Sequence, residues 1–314
     1  MPRRTSDATK GRFAPLPPAP LSPAPLLKWA GGKRQLVEVI TASLPETIDT
    51  YYEPFVGGGA IFFALAAERR FRRAVLSDQN SELIETYVAV RDDVDAVLGE
   101  LSLLPHSEED YYRIRASAPR KAARRAARMI YLNRTGYNGL YRVNRSGQFN
   151  VPFGRYVAPN ICDEGRLRAV ARALIGVELL VTNFDHVEDT ARRGDAVYFD
   201  PPYAPVSPTA RFAEYHHVPF DAAAHARLAQ VFGSLCRRGV ATLLSNSDVA
   251  LTRDLFGAFS IRSVPARRNI NSKADARGPV SEILVSAPVG PGLARRSASP
   301  AVPKRAVRVA AGGR

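Results

Sequence analysis

The sequence predicts an α/β protein built on a doubly wound, mixed β-sheet. Apolar strands alternate with helices, and turn residues follow several strands directly. Helices are expected over 33–44, 60–67 and 221–235, and strands end near Phe55 and Asp78 or cover 177–181, 196–199, 240–244 and 281–285. Because strands alternating with helices form mostly parallel sheets covered on both faces, ligand sites are expected at the carboxyl ends of the strands.

One long segment, 79–160, interrupts this alternation. It is predicted to be mainly helical up to about residue 133, and it continues into a stretch rich in Gly, Asn, Arg and aromatic residues with a β-hairpin around 144–147. We interpret 79–160 as a domain inserted between two parts of a main domain, 26–78 and 161–287. The tails 1–25 and 288–314 are rich in Pro, Ala, Gly and Arg and are predicted to be disordered.

The charge indicates a polyanionic partner. The formal net charge is +14. Residues 1–25 hold four basic residues and one acid, and residues 288–314 hold six basic residues and no acid. The body therefore keeps a moderate positive charge, which suits binding to phosphates with release of counterions. Solubility alone is the alternative explanation.

Composition also excludes several classes of protein. There is no apolar run of about 18 residues, and prolines interrupt the basic N-terminal stretch, so neither a membrane span nor a secretory signal is expected. The two cysteines, Cys162 and Cys236, are too few for a disulfide scaffold or a cysteine-rich zinc site. A cytoplasmic location is expected.

The tetrapeptide Asp200-Pro201-Pro202-Tyr203 follows a predicted strand directly, at the ligand-binding edge of the sheet. An amino group on a nucleic-acid base is a poor nucleophile, because its lone pair is delocalised into the ring. Two acceptors aimed at its N–H bonds favour a tetrahedral nitrogen, and the carboxylate of Asp200 and the carbonyl of Pro201 can supply them. The prolines stiffen the turn, and Tyr203 offers a face to a flipped base. A simple turn is the alternative.

A second turn, Glu53 to Gly59, contains three consecutive glycines, which allow a ligand to approach the backbone closely. Asp78 lies 21 residues after Gly57, at the end of the next predicted strand, where a carboxylate can accept hydrogen bonds from ribose hydroxyls. A structural turn and a helix N-cap are the alternatives. Lys28 to Lys33 holds the only tryptophan, Trp29, beside two glycines, and a core tryptophan is the simpler interpretation.

Six residues in the hairpin region indicate nucleic-acid binding. Arginine matches guanine and asparagine matches adenine in the major groove, and an aromatic side chain can insert between base pairs. The alternative is a solvated loop. The residues are Tyr137, Asn138, Arg142, Asn144, Arg145 and Arg155.

Together the motifs KWAGGK (28–33), EPFVGGG (53–59), YLNRTGYNGLYRVN with FNVPFGRY (131–156) and DPPYAPVSPTA (200–210) resemble a Dam-type, alpha-group DNA adenine methyltransferase of the D12 class. The resemblance covers about 26–287. It implies a fold shared by S-adenosylmethionine-dependent methyltransferases and transfer of a methyl group to adenine N6 in double-stranded DNA, at GATC, by base flipping. A monomeric, DNA-associated bacterial protein is expected. No metal is required, because the sulfonium methyl is already electrophilic.

The resemblance also implies which residues bind the cofactor. The glycine-rich turn would wrap its methionine part, Asp78 would bind its ribose, and Phe184 would pack near its adenine. The implied S-adenosylmethionine-binding residues are Trp29, Lys33, Glu53, Phe55, Gly57, Gly59, Asp78, Phe184 and Asp200.

For DNA, the resemblance implies that Tyr137 inserts into the duplex and that Lys28 contacts an outer base pair. It implies contacts to the recognition site or its backbone by Asn138, Arg142, Pro152 and Arg155, and phosphate contacts by Arg267 and Arg268. Segment 207–217 resembles a loop that orders over DNA. Thr135 and Tyr141, and segment 271–280, differ from the best-known members.

Three alternatives stay open at this point, and a fourth is disfavoured. Cytosine-N4 methylation uses similar amino-group chemistry, although Asp200 favours adenine over the serine-first motif typical of cytosine enzymes. Cytosine-C5 chemistry needs a nucleophilic cysteine in a turn, which neither cysteine provides. A noncatalytic DNA-binding protein of the same fold and a methyltransferase for RNA or small molecules are the remaining hypotheses.

Overall fold

The computed structural model describes residues 23–29, 31, 33, 35–144, 146–205, 220–267 and 279–287. In these residues seven strands form one mixed sheet. The strands are β1 (Ile48–Glu53), β2 (Phe71–Asp78), β3 (Glu178–Val181), β4 (Ala196–Phe199), β5 (Ala241–Ser247), β6 (Ser260–Arg267) and β7 (Pro279–Ser286). The predicted tails, apart from residues 23–25, lie outside the described residues, as do Arg145, Arg268 and segment 207–217.

The strand order β3-β2-β1-β4-β5-β7-β6 confirms the predicted mixed sheet. The first five strands in this order are parallel, and β7 runs antiparallel to both β5 and β6. From β1 the chain proceeds outward to β2 and β3, and it then returns to β4 on the other side of β1. Strand order therefore reverses between β1 and β4, which is where doubly wound sheets bind ligands.

The described residues contain ten α-helices. They are α1 (Val37–Thr41), α2 (Ala60–Ala67), α3 (Ser81–Asp92), α4 (Val94–Ser102), α5 (Glu108–Ala116), α6 (Ala122–Thr135), α7 (Glu164–Ala173), α8 (Val187–Thr190), α9 (Ala222–Arg237) and α10 (Ala250–Phe256). Neighbouring β4 residues point to opposite faces of the sheet, so Tyr198 joins one apolar core, whereas Val197 and Phe199 join the other. Helices α1 to α7 contribute to the first core, and α8 to α10 cover the second.

Two elements differ from the sequence predictions. The helix expected over 33–44 is confined to α1, because the backbone first turns between Lys33 and Leu36 and reaches Pro45 soon after α1 ends. Strand β6 was not predicted, since its exposed polar residues and Pro265 weaken the strand pattern. It lies at the edge of the sheet, where a residue without an N–H is tolerated.

Segment 79–160 contains helices α3 to α6, as predicted, and α3, α4 and α6 pack against one another. The hairpin (residues 136–153) is held by two isolated antiparallel bridges, Gly136 with Phe153 and Val143 with Phe149, and not by a continuous ladder. The apolar core runs without interruption from the sheet through α3 and α6 into this hairpin. The domain boundaries therefore stay a prediction.

None of the helices in the described part of the chain combines the length and apolar character needed to cross a membrane.

Candidate active site

Asp200 lies immediately after β4 and is held by two donors on the same oxygen. The ammonium of Lys33 lies 2.6 Å from Asp200 Oδ1, and Ser245 Oγ donates to Oδ1 at 3.0 Å. The side chain of Lys33 is only 5% exposed, while that of Asp200 is 21% exposed. Since no donor within the described residues reaches Asp200 Oδ2, this oxygen can accept a hydrogen bond from a ligand.

Ser245 connects Asp200 to the buried hydroxyl of Tyr198. The two hydroxyl oxygens lie 2.8 Å apart, and because Ser245 donates its single proton to Asp200, Tyr198 must donate to Ser245. Burial raises the pKa of Asp200 above its ordinary value, and the Lys33 ammonium and the Ser245 hydrogen bond offset only part of this rise. The two donors therefore favour the ionised carboxylate that an acceptor role requires.

Tyr203 is fixed at its hydroxyl and on one ring face. Its hydroxyl donates to Glu282 Oε2 at 2.6 Å, and the ammonium of Lys33 lies 4.6 Å from its ring centroid. Burial raises the pKa of Tyr203 well above its ordinary value, so the hydroxyl stays protonated as a donor. Pro201 is buried and Pro202 is exposed. Any base that stacks on Tyr203 has to use the ring face opposite Lys33.

The glycine turn (residues 54–59) lies between β1 and α2 and needs its glycines. Gly57 and Gly59 have φ values of +46° and +68°. A Cβ on Gly57 would lie 2.7 Å from Cδ1 of Trp29, so the indole packs directly on the turn. The N–H of Gly57 donates to Asp78 Oδ2 at 3.2 Å, and its carbonyl accepts from Tyr87 at 2.8 Å. The turn thereby connects the carboxyl ends of β1 and β2.

Glu53 lies beneath this turn in the core. Its Oε2 accepts hydrogen bonds from the Tyr51 hydroxyl at 2.9 Å and from the N–H of Phe62 at 3.0 Å. Burial raises the pKa of Glu53 to about 8, against the opposing effect of the Tyr51 hydrogen bond. These contacts link the end of β1 to α2, so Glu53 supports the shape of the turn from below.

Aromatic rings line the same edge of the sheet. Phe55 stacks on Phe184 with centroids 5.5 Å apart, and Phe220 meets both edge-on at 5.7 and 5.8 Å. His225 packs against Phe220 and is buried, and within the described residues neither of its ring nitrogens has a hydrogen-bond partner. Burial lowers the pKa of His225 to about 4, so it is neutral at physiological pH.

This edge suits a ligand that has a ribose and a flat base. The glycine turn allows a ligand to approach the backbone closely, and the aromatic cluster of Phe55, Phe184 and Phe220 provides stacking surfaces. Asp78 already accepts hydrogen bonds from Gly57 and from Asn80, one on each oxygen, and a carboxylate retains further acceptor sites for ribose hydroxyls. The residues present therefore fit an adenosyl group.

Lys28 packs against Gly139 at the start of the hairpin, and Asn133 connects the two. The Asn133 side chain accepts from the N–H of Lys28 at 2.8 Å and donates to the carbonyls of Lys28 and Gly139 at 2.7 and 3.1 Å. The side chain of Lys28 reaches over the Tyr156 ring at 5.1 Å. The segment before α1 is thus bound to the end of α6 and to the start of the hairpin.

Tyr137 projects from a tight turn and is 53% exposed, which an inserting side chain requires. Its N–H donates to the carbonyl of exposed Pro152 at 2.9 Å. Asn138 and Arg155 are exposed and adopt positive φ values of 56° and 54°. Such backbone strain is often found at functional positions.

Arg142 and Asn144 are oriented by the opposite side of the hairpin. Arg142 Nε donates to Asn150 Oδ1 at 2.7 Å, so the exposed guanidinium is directed by a neighbouring side chain. The side-chain oxygen of Asn144 accepts from the N–H groups of Ser146 and Gln148, at 3.0 and 2.9 Å, which shapes the loop. Arg267 ends β6, where its backbone pairs with Pro279.

Sequence reasoning missed several residues at this site, namely Tyr198, Ser245, Glu282, Phe220 and Asn133. Ser245 could have been found, because polar residues follow an apolar run in β5 just as Asp200 follows β4. Glu282 gave no such signal, since it lies within an antiparallel strand whose neighbours depend on the tertiary structure.

Comparison with known proteins is consistent with this geometry. Residues 29–270, more than half of the chain, match the model of the D12 class N6 adenine-specific DNA methyltransferase family. The chain belongs to this D12-class family of N6 adenine-specific DNA methyltransferases. The enzyme is 40% identical over 273 residues to the Type II methyltransferase M.MjaIII of Methanocaldococcus jannaschii, which covers 81% of this chain and 94% of the relative.

Other relatives of the enzyme are similar over comparable lengths. The Type II methyltransferase M1.LlaDCHI of Lactococcus lactis subsp. cremoris is 38% identical over 272 residues, 83% of this chain and 94% of the relative. The DNA adenine methylase of Escherichia coli is 38% identical over 266 residues, 82% of this chain and 93% of the relative. The family assignment confirms the resemblance seen in the motifs and favours adenine-N6 over cytosine-N4 methylation.

Proposed function

We propose that this enzyme transfers a methyl group from S-adenosylmethionine to N6 of the adenine in GATC sites of double-stranded DNA, after flipping the base out of the duplex. The observation that carries the proposal is the arrangement at Asp200, where Lys33 and Ser245 occupy Oδ1 and leave Oδ2 available. An acceptor oriented in this way is what activation of an amino group requires.

The cofactor would be held at the glycine turn and the aromatic cluster. When bound, it supplies a methyl group on a positively charged sulfur. Gly57 and Gly59 would allow the backbone close to its methionine part, Asp78 would accept from the ribose, and Phe184 would pack on the adenine, with Trp29 covering the turn. Glu53 would keep the turn in shape from the core.

The catalytic step needs two acceptors for the target amino group. Asp200 Oδ2 would accept a hydrogen bond from one N–H of the amino group. The carbonyl oxygen of Pro201, which has no donor within the described residues, would accept a hydrogen bond from the other N–H. Both acceptors return electron density to the nitrogen and stabilise the positive charge that develops on it. Tyr203, held by Glu282, would stack on the flipped base with its free face.

Recognition of DNA is assigned to segment 79–160 and to Lys28. Tyr137 would fill the gap left by the flipped base, which offsets part of the few kcal/mol that flipping costs. Arg142, directed by Asn150, would contact a guanine edge, and Asn138, Pro152 and Arg155 would contact the site or its backbone. The similarity to proteins named DNA adenine methylases supports adenine as the target base. GATC is the site that the resemblance of the motifs implies.

The test uses duplexes that differ only at the GATC site, labelled S-adenosylmethionine and nucleoside analysis of the product. N6-methyladenine confined to GATC duplexes is the expected result. N6-methyladenine in other sequences would contradict the GATC assignment and direct attention to the hairpin. Absence of product with the cofactor still bound would contradict the proposed function as a whole.

Replacing Ser245 with Ala is expected to lower kcat roughly 10- to 100-fold, about 1.5–3 kcal/mol, because Asp200 loses one of the two donors that orient it. The KM values for DNA and cofactor are expected to change little, since Ser245 would touch neither. Steady-state kinetics measures both quantities.

Thr242→Val is the matched control for this change. It removes another buried β5 hydroxyl, which donates to the carbonyl of Val240 and not to Asp200. A similar loss of kcat in the two variants would show that Ser245 acts only through the stability of the strand.

A further inference from the structure

Tyr141 connects the hairpin to the glycine turn, and it has no role in the proposed reaction. The residue is buried and directly precedes Arg142 in the chain. Its ring stacks on the indole of Trp29, with centroids 5.2 Å apart and an interplanar angle of 21°. Its hydroxyl donates to Glu82 Oε2 at 3.0 Å. Each of these two contacts is the first step of a chain of neighbouring residues that ends at the carboxylate of Asp78.

The first connection runs through Trp29. The indole lies against Gly57 so closely that a Cβ there would be 2.7 Å from its Cδ1. The N–H of Gly57 in turn donates to Asp78 Oδ2 at 3.2 Å. A displacement of the Tyr141 ring therefore changes the packing on the turn that would hold the methionine part of the cofactor.

The second connection runs through Glu82 in the first turn of α3. The N-cap of α3 is Asn80, whose N–H donates to Asp78 Oδ1 at 3.0 Å. Arg128 of α6 holds the other oxygen of Glu82 at 3.0 Å, so the acceptor for the Tyr141 hydroxyl is fixed. Tyr141 thus closes a ring of contacts around the predicted ribose-binding carboxylate.

We propose that Tyr141 positions the hairpin against the glycine turn, so that cofactor binding and DNA binding strengthen each other. This inference rests on the proposed function. Whichever ligand binds first restricts the stacked pair of Trp29 and Tyr141. The second ligand then binds to a site that is already ordered, so its binding loses less conformational entropy. Such coupling is reciprocal, so the effect of DNA on cofactor affinity equals that of the cofactor on DNA affinity.

The test measures the dissociation constant of S-adenosylhomocysteine, which cannot transfer a methyl group, with and without a short duplex that the wild-type enzyme methylates. For the wild type we expect DNA to tighten binding at least about 5-fold. In Tyr141→Leu, which loses both contacts, the ratio of the dissociation constant without DNA to that with DNA should fall to about 1. Tyr141→Phe keeps the stack and loses the contacts of the hydroxyl, among them the hydrogen bond to Glu82, so an intermediate ratio is expected.

Tyr111→Phe is the matched control. It also removes a buried tyrosine hydroxyl that bonds to the hairpin, at the carbonyl of Val151, but it has no contact with Trp29 or Glu82 in the described structure. This variant should keep the wild-type ratio. If the leucine variant does not fold, the comparison of the two phenylalanine variants decides.

Three results would overturn the inference. The first is a ratio of about 1 in a wild-type enzyme that binds both ligands. The second is a wild-type ratio in Tyr141→Leu, and the third is an equal loss of the ratio in Tyr111→Phe. A wild-type protein that binds neither ligand would instead overturn the proposed function, so the two failures are distinguishable.

Discussion

Replacing Asp200 with Asn is expected to lower kcat by about 10²- to 10³-fold, on the order of 3–4 kcal/mol of transition-state stabilisation. The amide keeps the size of the side chain but removes the negative charge that activates the target amino group. DNA binding is expected to persist, because the hairpin residues and Lys28 do not depend on Asp200. Single-turnover methyl transfer and fluorescence anisotropy with a labelled duplex measure the two properties separately.

Asp195→Asn provides the matched control, because it changes a buried aspartate at the opposite end of β4. Asp195 accepts hydrogen bonds from the N–H groups of Thr50 and Arg192, at 2.9 and 2.7 Å. These contacts lie at the other end of the strand from Asp200 Oδ2 and the Pro201 carbonyl. This variant should lose stability and keep its kcat per folded molecule. Retention of kcat within about 3-fold in Asp200→Asn would refute the mechanism, since so small a change is below 1 kcal/mol.

Replacing Gly57 with Ala is expected to weaken S-adenosylhomocysteine binding at least about 10-fold and to lower the free energy of unfolding by about 1–3 kcal/mol. The residue has a φ of +46°, and its new Cβ would collide with the indole of Trp29. Calorimetry measures the affinity, and thermal unfolding measures the stability. Because Trp29 is the only tryptophan, its fluorescence reports on displacement at this position alone.

Gly99→Ala is the corresponding control in α4. A Cβ at Gly99 meets no atom within 4 Å, and alanine is favoured over glycine inside a helix. This variant should bind the cofactor product normally and be more stable by roughly 0.5–1 kcal/mol. Equal affinities in the two variants would mean that the glycine turn does not contact the cofactor.

The sequence alone indicated the main elements that carry the site. β4 and the turn after it were predictable because four consecutive apolar residues precede Asp200, and α2 was predicted with its observed ends, Ala60 and Ala67. The prediction was less accurate where local signals were weak. The helix over 33–44 was too long, because nothing in its composition reveals that the chain turns at Lys33 to bring the ammonium to Asp200.

Contacts between distant segments were decided only by the tertiary structure. Lys33 and Asp200 are far apart in sequence and meet because the chain returns to β4 beside β1. Ser245 reaches Asp200 because β5 pairs in parallel with β4, and Glu282 reaches Tyr203 because β7 pairs with β5 in the opposite direction. Strand order and register set these distances, and neither can be read from a single segment.

What the sequence by itself determined is the chemistry available to this protein: an acceptor turn after a strand, a glycine turn with a carboxylate 21 residues beyond Gly57, and a basic, aromatic hairpin region. These features are local, so residue type and spacing suffice to identify them. The tertiary structure decided which oxygen of Asp200 is left for a ligand, which face of Tyr203 is free, and that Tyr141 touches the glycine turn through Trp29. Each of these depends on how separate elements pack, because hydrogen bonds and ring contacts act only over a few ångströms.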